Sequence, residues 1–483
     1  MNHRDHKQRR VAHAGAGAIP ENLLRFMLTG WRKPARRLPN LHPAAAAWSQ
    51  RRARVSRQFP GEVIVIPSGG RKVRANDTHY RFRPGTEFYY LTGIAEPDCV
   101  LCLFPQGNRH REIVFARPNA GKSDVSFFTD RHNGELWDGP RLGLRELESR
   151  HRIDCRPLSE LESALRARGS RTRVRSLPQL SGSTDALLTD RRSDQSQRDS
   201  ALATFLSEMR LIKEPIEIRA LRRAVNATKR GFEDVIARLK TAKGERELEG
   251  VFWTRARTEG NDVGYSPIVA AGSHACTLHW QRNDGALRNG DLLLLDAGIE
   301  VDSLYTADIT RTLPISGKFT AEQRAVYEIV VAAHRAAVQA VKPGHEFAAP
   351  HRAAMAVMAQ GLEDIGVLPT SAEAALREDN QAYRRYTLHH VSHMLGMDVH
   401  DCANARAEVY KNGKLVPGMV LTIEPGLYFQ PDDLTVPAKY RGIGVRIEDD
   451  VLVTRSGHRV LSADLPRGAL EVERWMQQIW KLR

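Results

Sequence analysis

Asp296 follows the apolar run Leu292 to Leu295 and precedes Ala297 and Gly298. Such a run predicts a strand buried on both faces. A charge at the end of a buried strand needs a partner or a metal. Twelve residues on, Asp308, Thr310 and Thr312 alternate with Ile309 and Leu313, the period-two pattern of a second strand whose polar face turns toward Asp296. A solvated hairpin and a metal or general-base site both satisfy this stretch alone. A second constellation, HHVSHMLGMDVHD, holds His389, His390, His393 and His400. One such histidine reads as a satisfied polar residue, but four in twelve positions point to chemistry, because imidazole is the commonest metal ligand and titrates near neutrality. In GMVLTIEPG, Val420, Thr422 and Glu424 share a strand face; in IGVRIEDD, read as one strand from Ile443 to Asp450, Gly444, Arg446 and Glu448 do. Each glutamate alone reads as a surface residue. Together, four carboxylates and the histidine cluster on strands or their edges suit two adjacent divalent ions, Mn²⁺ ahead of Mg²⁺, better than one tetrahedral zinc. Two ions about 3.5 to 4 Å apart can share a bridging hydroxide and stabilise the oxyanion formed as it attacks a carbonyl, which is hydrolase chemistry.

The elements that must position these residues lie in an α/β chain. A polar extension runs to about residue 42, and a helix is predicted from Pro43 to Gln58, with proline at its first position. Strands are predicted at Val63 to Gly70, Glu87 to Gly93 and Cys99 to Phe104, each closed by Gly or Pro. The turn Ser68 to Gly70 lacks the spacing of a phosphate loop. Ser181 to Ser200 reads as a surface connection or exposed helix between domains. A helix opens after Pro215, and Thr320 with Gln323 forms a capping box before another helix that stops at Pro343 and Gly344. No short repeat is visible. The predicted division is 1–44, a basic extension; 45–205, an α/β domain; and 206–475, the domain carrying the site.

The 483 residues suit two or three domains. No apolar run approaches a membrane span and no signal peptide opens the chain, so a cytoplasmic, membrane-free protein is expected. The net charge of +15 invites a nucleic-acid reading, but residues 1–60 hold thirteen Lys or Arg against Asp5 and Glu21. The basicity thus belongs to an appendage, read as a solvated tail, and weak contact with RNA or an acidic surface would rest on residues 1–60 alone. The cysteines at 99, 102, 155, 276 and 402 read as reduced thiols. Cys99 and Cys102 form a C-x-x-C within an apolar strand, which places their side chains on opposite faces and favours core over redox or zinc.

GDLLLLDAG, TADITRTLPISGKFTAEQRAVYEIV, HHVSHMLGMDVHD, GMVLTIEPGLY and KYRGIGVRIEDD resemble the motifs of the pita-bread metallopeptidases, most closely the aminopeptidase P family. FRPGTEFYYLTG, Phe82 to Gly93, resembles that family's N-terminal domain, so the resemblance covers residues 45 to 470. It implies a creatinase-like α/β domain followed by a pita-bread catalytic domain. It also implies two divalent ions per chain held by Asp296, Asp308, His393, Glu424 and Glu448, with Asp308 and Glu448 as bridges and Glu424 as base toward the bridging water. His279, His389 and His400 match histidines that position the scissile amide and pass protons to the leaving nitrogen, and Arg446 orients carboxylates. The implied substrates are peptides with proline second, cut after the first residue by a homodimer or homotetramer.

Three departures stand out: a gap between the aspartates one residue longer than usual, read as a bulge or longer turn; His390 where the family often has glycine; and CANAR after Asp401, which alters the substrate rim. Prolidase shares all five ligands, but the short run from Glu424 to Glu448, with Tyr428, Tyr440 and Arg441 where aminopeptidase P borders its groove, favours the latter. Methionine aminopeptidase normally lacks so large an N-terminal domain, creatinase lacks the metal set, and a non-catalytic binding protein on this fold predicts lost ligands. Because residues 1–40 hold much of the excess charge and no ligand, deleting them is expected to leave peptide hydrolysis intact and to weaken salt-sensitive polyanion binding. A truncated protein that folds but does not cleave would show that the extension shapes the site.

Overall fold

The structure, a computed structural model, describes residues 19–32, 37–167, 172–188 and 195–482, so the basic residues in 1–18 and 33–36 lie outside it. The chain forms two compact units, residues 1–199 and 200–483.

In the first unit, helix α1 (Ala45–Gln58) begins two residues after Pro43. It is followed by strand β1 (Val63–Pro67), helix α2 (Thr86–Thr92) and strands β2 (Val100–Gln106), β3 (Arg109–Ala116), β4 (Asp154–Pro157) and β5 (Val174–Ser176). The sheet order is β4-β3-β2-β1-β5, antiparallel among β1, β2 and β3 and parallel at both outer pairs. Cys102 packs in its core with Val65, Phe104 and Phe115, and burial pushes the Cys99 and Cys102 thiols well above their ordinary range. The stretch Glu87 to Gly93, expected as a strand, is helical. Phe88, Tyr89, Tyr90 and Leu91 are all buried, so neither periodicity is visible in the sequence. Gly93, at φ 68°, ends the helix left-handed, and a side chain there would meet the Trp48 ring 2.0 Å away. The predicted interdomain stretch Ser181 to Ser200 holds the helix Gly182–Leu187, with Ser181 as its cap, and the start of helix α3 (Gln195–Leu211); 189–194 lie outside the described residues.

The second unit opens with helix α4 (Pro215–Leu239), which has proline at its first position and the Glu217 carboxylate accepting from Glu214 N at 2.8 Å. Helix α5 (Glu245–Glu259) packs on it. Strands β6 (Ile268–Ala271), β7 (Leu292–Ala297) and β8 (Ile309–Pro314) form an antiparallel sheet with β7 in the middle. This explains why β7 is apolar on both faces. The extra residue between the aspartates lies in a longer turn, with Leu304 at φ 63° and a bridge from Glu300 to Thr306. Helix α6 (Ala321–Ala340) starts at the predicted capping box, with Gln323 N donating to Thr320 Oγ1, and helix α7 (Ala349–Asp364) packs along it.

Strands β9 (Val420–Ile423), β10 (Gly426–Tyr428), β11 (Gly444–Arg446), β12 (Asp449–Val453) and β13 (His458–Val460) complete the site's framework before the last helix, α8 (Ala469–Leu482). The run Ile443 to Asp450, expected as one strand, is two. β11 pairs with β10, β12 pairs with β9, and Ile447 and Glu448 stand in the break. The partner strand turns at Glu424 and Pro425, so each half follows a different half of it.

Gly298 connects β7 to the returning chain at a close approach: a Cβ there would lie 1.8 Å from the Ala307 carbonyl. Gly298→Ala is expected to destabilise the protein by about 1–3 kcal/mol through overpacking. Exposed Gly250, in α5 with nothing within 4 Å of its virtual Cβ, is the control. Gly250→Ala is expected to stabilise by about 0.5–1 kcal/mol. Calorimetric melting of both variants checks the pair, and equal shifts would contradict the steric argument.

Candidate metal centre

Asp296 faces Thr310 across the β7–β8 pair, and Asp308 immediately precedes β8 on the same face. Both carboxylates are buried. Thr310 Oγ1 donates to Glu448 Oε2 at 2.7 Å and Glu448 N donates to the Thr310 carbonyl at 3.0 Å, which brings the β11–β12 break over β8. His393 lies outside regular strands. It is pinned by a bridge from Met394 to Leu421 in β9, by its own N–H to Thr422 Oγ1 at 3.1 Å and by Thr422 N to its carbonyl at 2.9 Å. Glu424 lies one residue past β9, with N–H to the Val391 carbonyl at 2.9 Å. At the far end of the histidine segment, buried Asp401 pairs with Arg210 at 2.9 Å and Lys213 at 3.4 Å. These cations hold its carboxyl below the usual range against the opposing effect of burial.

Ligand atoms of Asp308, His393 and Glu448 all lie within 4.8 Å of one another. Glu424 Oε1 is 3.5 Å from His393 Nε2, and Asp308 Oδ2 is 3.3 Å from it. Asp296 joins through Tyr265, whose hydroxyl is 2.7 Å from Asp296 Oδ1 and 2.5 Å from Asp308 Oδ1. All five predicted ligands, with His279, His389, His400 and Arg446, line one cavity of about 640 Å³.

The electrostatics are those of crowded anions. Burial and the neighbouring carboxylates push Glu448 well above the usual range. Burial raises Asp296 and lifts Glu424 to about 7. His393, although buried, is raised to about 9 by Asp308 and Glu424. Tyr265 has one proton to give and two carboxylate oxygens to give it to, so one contact is unsatisfied while both acids are ionised. His393 Nδ1 stands 3.2 Å from the Met394 carbonyl, so Nε2 is the ring nitrogen turned to Asp308 and Glu424, where a divalent cation would take the place of its proton. Both features fit residues arranged around divalent cations.

Around this core, Arg446 donates to Asp296 Oδ2 and, at 2.9 Å, to Tyr428 OH. His389 places Nε2 2.9 Å from the same hydroxyl and Nδ1 3.5 Å from Glu424 Oε2. Burial, then Arg446, brings His389 down to about 4, so it is neutral near pH 7. His400 packs edge-on to His393 with centroids 4.4 Å apart and is lowered first by burial and then by that neighbour. His390, the departure from the common glycine, tilts against His351 of α7 at 4.8 Å on the same cavity wall. From the CANAR stretch, Ala403 reaches the lining, joined by Tyr410 and Lys411.

Three expectations about the rim are corrected. Tyr440 is buried against Phe429, and Arg441 lines a separate cavity with its Nε on the Val436 carbonyl, because the Pro437 turn carries both away from the groove. Tyr428 sits behind the wall, reached through His389 and Arg446. Sequence reasoning missed Tyr265 and His351. Neither lies in a patterned stretch, although Tyr265 stands three residues before a strand of the same sheet as Asp296.

Residues 219–455 match metallopeptidase family M24, and residues 48–175 match the aminopeptidase P N-terminal domain. The chain is 49% identical over 462 residues to Xaa-Pro aminopeptidase 1 of Streptomyces coelicolor, covering 95% of this chain and 92% of that protein. It is 34% identical to the Xaa-Pro aminopeptidase of Haemophilus influenzae, covering 89% and 96%. Among solved structures, Pseudomonas aeruginosa aminopeptidase PepP aligns with a TM-score of 0.80 at 32% identity, covering 91% of this chain and 100% of that one. Escherichia coli aminopeptidase P with the inhibitor Pro-Leu aligns with a TM-score of 0.80 at 30% identity, covering 91% and 100%. A cavity walled by buried carboxylates and histidines, on a chain matched nearly end to end by these hydrolases, identifies the protein as a member of the Xaa-Pro aminopeptidase family of M24 metallopeptidases.

Proposed function

We propose that the chain releases the first residue from peptides with proline in second position, using two divalent ions held by Asp296, Asp308, His393, Glu424 and Glu448. The observation that carries this reading is the convergence of Asp308, His393 and Glu448 within 4.8 Å, with Asp296 tied in through Tyr265. Mn²⁺ is the favoured ion, because four carboxylates and one imidazole make an oxygen-rich, borderline donor set. Such ions, when bound, lower the pKa of water and polarise a carbonyl.

The protein's own residues do the rest. Glu424 takes the proton of the attacking water at its carboxylate, whose Oε2 stands 3.5 Å from His389 Nδ1. Water adds its oxygen to the carbonyl carbon, the carbon–nitrogen bond breaks, and the proton is delivered to the leaving proline nitrogen. His389, His279 and His400 line the path for that proton and orient the amide. His389 is held in place by Tyr428 and by the His390 carbonyl, 2.9 Å from Nδ1. Arg446 keeps Asp296 ionised and aimed. The division we favour is an N-terminal domain over 45–205 and a catalytic domain over 206–475, preceded by the basic stretch 1–44.

We also place the enzyme in the cytoplasm as a homodimer or homotetramer. Five free, buried cysteines suit a reducing compartment. Among the described residues no helix is long and apolar enough to cross a membrane.

Asp308→Ala and Glu448→Ala are each expected to lose activity by several orders of magnitude while melting as folded proteins. Full activity in Asp308→Ala would sink the assignment. His400→Ala is expected to lower turnover with metal content, read by elemental analysis, unchanged; loss of metal would make His400 a ligand.

Substrate choice separates aminopeptidase P from prolidase. A dipeptidase must capture the free carboxylate right after proline, and an aminopeptidase leaves that side open. Xaa-Pro-Yaa tripeptides and longer peptides are expected to be cut at least as well as Xaa-Pro, with Xaa-Ala-Yaa poor. Hydrolysis of Xaa-Pro alone would make the protein a prolidase and leave the metal site standing.

A further inference from the structure

Arg311 lies between Thr310 and Thr312 on the face of β8 that turns away from the carboxylates. A guanidinium offers five N–H donors in a fixed plane, and Arg311, fully buried, uses that whole array. Nε donates to the Pro466 carbonyl at 2.7 Å. Nη1 donates to the carbonyls of Thr310 at 2.8 Å and Glu448 at 2.7 Å. Nη2 donates to Asp449 Oδ1 at 2.9 Å and to the Leu465 carbonyl at 3.1 Å. One nitrogen therefore holds the main chain of β8, two residues past Asp308, and the main chain of Glu448 itself.

The opposite side of this clamp is equally fixed. Asp449 also accepts from Ser462 Oγ at 2.5 Å and from Arg467 Nε, and His334 Nε2 stands 3.0 Å from it. Glu448 sits in a strand break, so no β-ladder sets where its carboxylate stands. The bonds that do so are those from Thr310 on the cavity side and Arg311 on the far side. We propose that Arg311 is a positioning residue that fixes the separation of Asp308 and Glu448, and with it the affinity of the centre for divalent ions. This rests on the metal-site reading above. Arg467 is the natural comparison, since it binds Asp449 and the Ser462 carbonyl, and none of its bonds reaches the backbone of Thr310 or Glu448.

The test titrates Mn²⁺ into full-length, chelator-stripped protein by calorimetry, with melting temperatures measured in parallel. Lysine in place of Arg311 cannot span both carbonyls and Asp449, so Arg311→Lys is expected to weaken Mn²⁺ binding about 10–100-fold, the range for removing an outer-shell support. At saturating Mn²⁺ its KM is expected to match wild type. Arg467→Lys is expected to lower the melting temperature with its Mn²⁺ affinity within about threefold of wild type. Unchanged affinity in Arg311→Lys, or the same affinity loss in both variants, overturns the proposal. If Arg311→Lys does not fold, Asp449→Asn loosens the clamp from its other end and is expected to weaken Mn²⁺ binding at least about fivefold; unchanged affinity there overturns it. A wild-type protein that binds no Mn²⁺ overturns the metal-site reading and this one together, whereas wild-type binding with an indifferent Arg311 removes this one alone.

Discussion

Four carboxylates, from Asp296, Asp308, Glu424 and Glu448, converge where little water reaches them, and their repulsion is the constraint to which the second unit answers. Like charges at such distances cannot all stay ionised unless positive charge enters or protons remain. The surroundings supply only part of that charge. Arg446 serves Asp296, His393 serves Asp308 and Glu424, and Glu448 receives the Thr310 hydroxyl. The remaining deficit is what divalent cations would fill.

Holding repelling groups together demands stiff supports, and these side chains have several kinds. Asp296 is in a central strand bonded on both sides. His393 hangs on β9 through its bonds to Thr422, and Glu424, one residue past β9, is bonded to Val391 outside the ladders. Glu448 occupies a gap between two strand pairs. The cavity is thus the seam where separate small sheets end. Sheet ends leave backbone donors and acceptors free, and Thr422 and Arg311 fill them.

How much of this was legible in the sequence depended on whether a residue's surroundings were local. Asp296 and Asp308 stood out because a double-faced apolar strand and a period-two strand are patterns within a few residues. Thr320 with Gln323 was legible for the same reason. The helix Thr86–Thr92 was not, since burial on every side erases the periodicity that separates helix from strand. The break at Glu448 was hidden because it follows from the partner strand turning at Pro425. Tyr265 bears no pattern, and the meaning of Arg311 lies in carbonyls 137 and 155 residues away.

That separation bears on the order in which the molecule is made. Thr310 and the glutamate it bonds are 138 residues apart in the chain, so during synthesis the segment bearing Asp296 and Asp308 emerges long before its counterpart exists. Closing so long a loop has a cost that only late contacts repay. While those 138 residues are made, the nascent chain carries only part of the proposed ligand set. On the proposed ligand set, a complete centre would form only after the C-terminal strands have docked, which would make metal loading an event of the finished fold and not of its assembly.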